Sequence, residues 1–157
     1  MNDTSEPKKK TENFQIRWNE ALGKPECPYM YRWAFIFFGY SIRVHHWIRS
    51  DDKRFFHDHP WSFVTVVLKG SYTDVSPATD IQGMERPFVK KDTLTAGMVK
   101  YRAAEHKHYV DVPKGGCWTL LFCGRAKRKW GFWVKANQFF RPLRFFNKFG
   151  HPPCHDQ

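Results

Sequence analysis

A chain of 157 residues fits one domain and is long enough to bury a core without staples. Its aromatic content of 18 %, with 15 Phe and 7 Trp, excludes a disordered chain. Its longest apolar run, 33–38, is strand length, far short of the ~20 residues of a membrane-spanning helix.

The net charge of +11 has two main sources. One is the run Lys8-Lys9-Lys10. The other begins at Arg125, where Lys127, Arg128, Lys129, Lys135, Arg141, Arg144 and Lys148 follow against a single acid, Asp156. A basic, aromatic-interleaved end of this kind is suited to nucleic acid, because cations bind phosphates and aromatic rings stack on bases. A solvated basic face is the plainer reading. No apolar signal-peptide core opens the sequence, so a cytoplasmic protein is expected. Cys27, Cys117, Cys123 and Cys154, never spaced Cys-x-x-Cys, are then expected as reduced thiols. Cys154 beside His151 and His155 imitates a metal cluster, but it sits in a Pro-rich terminus and reads as incidental.

In chain order, 1–13 is polar and expected to be mobile. Phe14, Trp18 and Leu22 recur at four, which predicts a short helix over 14–22 ended by Gly23-Lys24-Pro25. Short strands follow at 33–38 and 41–48, then a polar loop at 50–53, the segment 57–59, and a β-branched strand at 63–69 stopped by Gly70. The strand 72–75 precedes a loop at 76–85 and an edge strand at 87–91. Strands at 97–102, 106–112, 117–123 and 130–135 complete an all-β sandwich or barrel. The arm 137–157 alternates Phe with basic residues, and Pro142 argues against one uninterrupted helix there. The organisation is therefore an N-terminal extension (1–30), a barrel (31–136) and a C-terminal arm.

Two His-x-His pairs dominate this pattern: His57-Asp58-His59 and His106-Lys107-His108. Side chains alternate along a strand, so each pair points one way. Facing each other inside a barrel, the pairs would place four imidazoles around one point, a donor set for a divalent transition metal such as Fe, Zn, Mn or Ni. The candidate ligands are His57, His59 and His108, with His106 the natural fourth. Asp58 and Glu105 are out of phase. Of His45 and His46 at most one can face the interior, and a structural role is the plainer reading. Trp61 and Trp118 are candidates to line a ligand pocket, although core packing is the commoner fate of such rings. Tyr101 and Arg102 are candidates to orient a ligand, Arg102 by clamping a carboxylate or phosphate; Arg54 and Arg43 are weaker candidates for that task. The phosphate-binding, dinucleotide-binding and serine-nucleophile motifs are all absent.

These residues resemble the cupins, whose first motif is His-x-His followed by Glu and then Gly. His57, His59 and Gly70 match, but Phe63 stands where the Glu belongs. Gly97 precedes His106 and His108 as in the second motif, although Tyr101-Arg102-Ala103 replaces its Pro-x-Gly element. Over about 54–135 the run His57-Asp58-His59-Pro60-Trp61, with Leu68-Lys69-Gly70 and Trp130-Gly131-Phe132, looks like a group of small cupin-like proteins of bacteria and phages. The resemblance implies a double-stranded β-helix, or jelly-roll barrel, holding a metal, and a homodimer paired through edge strands. The missing Glu leaves two options: His106 as fourth ligand, or three His with open positions. The function expected is metal-dependent enzymology on a small organic molecule, dioxygenase-like or isomerase-like. The alternative is a non-catalytic protein binding a small metabolite or nucleic acid, with a structural metal.

Overall fold

A computed structural model describes residues 13–79, 85–134, 138–151 and 154. The expected mobile segment 1–13 lies, apart from Asn13, outside the described residues, as does His155.

The chain begins as sheet: β1 (Phe14–Lys24), β2 (Cys27–Phe37) and β3 (Tyr40–Trp47) form an antiparallel meander. The helix expected over 14–22 is therefore strand β1, and the sheet starts inside the stretch read as an N-terminal extension. The reason is a bulge. Between Arg17 and Glu20, β1 advances three residues while β2 advances two, with Asn19 at φ 48°. The extra residue flips the side-chain phase, so Phe14, Ile16 and Trp18 face outward while Glu20 and Leu22 face inward. The four-residue spacing of Phe14, Trp18 and Leu22 arose from that flip.

The remaining strands are β4 (Phe56–His57), β5 (Phe63–Thr79), β6 (Glu85–Thr95), β7 (Val99–Arg102), β8 (Tyr109–Asp111), β9 (Cys117–Cys123), β10 (Phe132–Val134) and β11 (Gln138–Phe140). The expected loop at 76–85 is shorter than read, since β5 continues to Thr79 and β6 starts at Glu85. The long β5 serves two layers. Its first half, up to Gly70, pairs with β9 and β7; its second half, from Ser71, pairs with β6 and β8. Gly70 sits at the change-over with φ 77°, and a Cβ there would strike the carbonyl oxygen of Gly116. One wall is thus β1-β2-β3-β9-β5-β7. The other is β6-β5-β8 joined to β4-β10-β11 through reciprocal backbone bonds between His57 and His108, 2.8 and 2.9 Å. The two walls enclose a cavity, the arrangement of a jelly-roll barrel.

One core cluster, built on Val67, Tyr72, Leu94, Val110 and Cys117, fills one end of the barrel. Another lies under the C-terminal arm. There helix α1 (Pro142–Phe149) presses Phe145, wholly buried, onto Phe132 with ring centroids 4.0 Å apart. Pro142, read as a breaker, stands in the first turn, where its missing N–H costs nothing. Arg144 and Lys148 of the basic arm lie over the Phe140 ring. Two of the four cysteines depart from the reduced state expected: Cys27 and Cys154 form a disulfide, while Cys117 and Cys123 are buried free thiols. Among the described residues no helix is long and apolar enough to cross a membrane.

Candidate metal centre

Strand β4 is only two residues long, so alternation alone does not orient the His57-Asp58-His59 segment; a set of bonds does. The backbone N–H groups of the three residues donate in turn to the carbonyls of His108, Gly131 and Ala104, at 2.8, 3.1 and 3.1 Å. Asp58 points away from the cavity, as its phase predicts, but it is fully buried. Its carboxylate accepts from the Gly131 N–H at 2.9 Å, the Trp133 indole at 3.0 Å and Arg128 at 2.6 Å. Asp58 therefore anchors the segment behind the two rings it sets facing inward.

His57 and His59 meet His108 there. Ring centroids are 4.8 Å apart for His57–His108 and 5.2 Å for the other two pairs. One ring nitrogen from each falls within a mutual 4.8 Å. The Nε2 atoms of His59 and His108 lie 2.9 Å apart. Two nitrogens bound at roughly 2.0–2.1 Å to one ion have that separation when they subtend about 90°.

The tautomer of His108 is fixed from behind. Its Nδ1 lies 2.6 Å from Asp74 Oδ2, and a carboxylate can only accept, so Nδ1 carries the proton and Nε2 presents a lone pair to the cavity. This is the carboxylate–histidine support found behind metal ligands. Burial would raise the Asp74 carboxyl, but the bonds from His106 and His108 outweigh it and hold the group well below the usual carboxylate range. Burial pushes His57 and His59 well down and lowers His108 as well, Asp74 opposing the shift in that last case. Neutral imidazoles are what a metal requires. On the far side of His57, Asp51 Oδ2 stands 3.7 Å from Nδ1, buried and without a hydrogen bond, and burial raises its carboxyl well above the ordinary value.

His106, expected as the fourth ligand, is not in the three-histidine group. The chain between β7 and β8 is irregular from Ala103 to Lys107, so the two histidines of that pair do not share a strand face. His106 Nε2 instead lies 2.8 Å from Asp74 Oδ1, in a second group made of Asp74, His106 and His108. Arg102 is buried and bound to Asp74 at 3.2 Å and Asp92 at 3.0 Å, and it does not line the cavity. Tyr101 is 62 % exposed on the outer face. Trp118 is outside the cavity too, stacked between Trp33 and His46. Of the four residues expected to touch a ligand, only Trp61 lines the cavity.

That cavity has a volume of about 510 Å³, within the range of small-molecule sites. Phe63, in the place of the cupin Glu, turns inward with its ring 4.8 Å from His59. It adds an apolar wall and no ligand atom. Asp74 escaped the sequence reading, yet a signal was there: Tyr72, Asp74 and Ser76 share one strand phase, which places a carboxylate on the inward row.

No family model matches the sequence, and no curated protein sequence does. Solved structures do. Fe(II)-HppE matches with a TM-score of 0.51 at 12 % identity, covering 71 % of this chain and 56 % of that one. A second Fe(II)-HppE structure reaches 0.52 at 12 % identity, over 78 % and 62 %. A slighter likeness, 0.49 at 14 % identity over 83 % and 30 %, is to oxalate decarboxylase from Bacillus subtilis. This chain thus spans a little over half the length of the HppE chains it matches. The architecture defined by these strands is the cupin fold.

Proposed function

We propose that this chain is a metal-dependent cupin-fold enzyme acting on a small organic ligand, with one divalent transition metal held by His57, His59 and His108. The observation that carries this reading is the group of three histidine nitrogens at the wall of a largely apolar cavity, with His108 presented as the correct tautomer by Asp74. When bound, the metal supplies Lewis acidity to a ligand oxygen. The chain's own part is to hold three neutral donors, to orient them through Asp74 and Asp58, and to surround the ligand with Phe63, Phe132 and Leu121, which exclude water. Three protein ligands leave coordination positions for a ligand, which favours catalysis over a structural metal; a closed structural site takes four. A dioxygenase-like or isomerase-like reaction is the form of chemistry that this arrangement accommodates.

Elemental analysis of the purified protein tests the reading. About one equivalent of a transition metal is expected in the wild type, and a small fraction of that in His57→Ala and His108→Ala. A metal-free wild type that also fails to take up added Fe(II), Mn(II) or Zn(II) overturns it, and so does full retention in both variants.

A further inference from the structure

The wall facing the three histidines carries two polar groups that the fold leaves unanswered. On β3, Arg43, His45 and Trp47 share the inward phase, and all three line the cavity. Leu121 and Thr119, their register partners on β9, continue the same wall. His45 is 7 % exposed, and neither of its ring nitrogens has a hydrogen-bond partner. A buried polar group left unmet costs about 1–3 kcal/mol. Burial pushes His45 down to about 3, so it is neutral near pH 7 and carries one N–H donor.

Arg43 differs from the other part-buried and buried arginines, of which Arg49 is met by the backbone carbonyls of Pro28, Cys27 and Cys154. Arg32 pairs with Glu20, Arg102 with Asp74 and Asp92, and Arg128 with Asp58. Arg43 pairs with no acid among the described residues. Its Nε donates to Ser41 Oγ at 2.9 Å, and its guanidinium lies 4.2 Å from the Trp61 ring centroid. Those two contacts fix the side chain and leave both terminal amino groups undirected. Burial lowers it to about 10, which still leaves it cationic near pH 7. A part-buried cation without a counter-charge is a cost that an anion would remove.

Building on the cavity's reading as a ligand site, we propose that Arg43 and His45 form an anion-binding subsite opposite the histidine cluster, so that the cavity takes a small organic acid through its carboxylate or phosphonate. The planar guanidinium offers parallel N–H donors matched to either group, and a compact ammonium would not. His45 adds a neutral donor beside it. Trp61, Phe63 and Leu121 accept the apolar body of the acid. Its other end is then directed across the cavity toward His57, His59 and His108.

Calorimetric titration tests this with three probes of one shape: benzoate, phenylphosphonate and the neutral benzamide. They are added to the protein as purified and again after chelator treatment. At least one of the two acids is expected to bind at least tenfold more tightly than benzamide in both preparations. Arg43→Met should weaken the acid tenfold or more with metal content unchanged, Arg43→Lys should recover part of that loss, and His45→Phe should weaken it severalfold. Benzoate-selective binding assigns a carboxylate, phenylphosphonate-selective binding a phosphonate. If neither acid outcompetes benzamide in the wild type, a comparison that needs no variant, the subsite is refuted. Undiminished acid binding by a folded Arg43→Met refutes it too. Because acid binding is also read after chelation, a failure of the metal reading leaves this result intact.

Discussion

His108 belongs to two clusters, and their donors are differently occupied. On its Nδ1 side, Asp74 already accepts from His106, His108 and Arg102, with Asp92 beyond, so every charge there has a partner. On its Nε2 side, His57 and His59 bring ring nitrogens to a cavity, where the one carboxylate near them among the described residues is Asp51, 3.7 Å from His57 Nδ1. Both groups have the residue types of a metal site. On the proposed reading, composition alone does not make such a site: the donors must be held in place and left unspent. The Asp74 side does the holding, and the cavity side keeps the lone pairs.

Substitutions that affect one side more than the other test this division. The largest effect is expected from Asp74→Ala, which takes from buried Arg102 the more buried of its two carboxylates and frees the His108 ring. About 3–5 kcal/mol of stability should be lost, and metal affinity should fall on the order of 10–100-fold. Denaturant unfolding and chelator competition measure the two separately. Unchanged affinity would mean that His108 needs no support from Asp74.

Acid should act next, on the metal-free protein. His45, His57 and His59 titrate below their unfolded value of about 6.5. The unfolded chain therefore binds more protons in acid, so stability is whole above pH 6.5 and declines as pH drops from there. For His45 the decline continues to about 3, with a slope up to about 1.4 kcal/mol per pH unit. Thermal unfolding between pH 7 and pH 4.5 should show it, and His45→Leu should flatten the curve. An equally steep curve in that variant would count against a neutral, buried His45.

The smallest effect should come from His106→Gln, which keeps a donor for Asp74. Metal content near wild type is expected, with under about 1 kcal/mol lost in stability, in the range of one ordinary hydrogen bond. If this variant empties the site as completely as His57→Ala, the two clusters act as one.

The barrel and three of its metal-ligand candidates could be read from the sequence because they rest on short-range rules. β-branched residues at 63–69, glycines at turns and the His-x-His spacing each specify their own neighbourhood. The remainder depends on partners distant in the chain. For His106 strand alternation misleads, because its segment is no strand. Arg102 looked free until Asp74 and Asp92, from other strands, came beside it. Arg43, the weaker candidate on sequence grounds, lines the cavity with no acid partner among the described residues, whereas Arg102 does not line it. Along β1 a single inserted residue disguised a strand as a helix.

The bond between Cys27 and Cys154 spans 127 positions and so makes most of the polypeptide a covalent ring. A protease that cuts once between them opens that ring without releasing a piece. The nicked molecule should migrate at full mass on a denaturing gel until a thiol reductant is added, and only then separate into two bands.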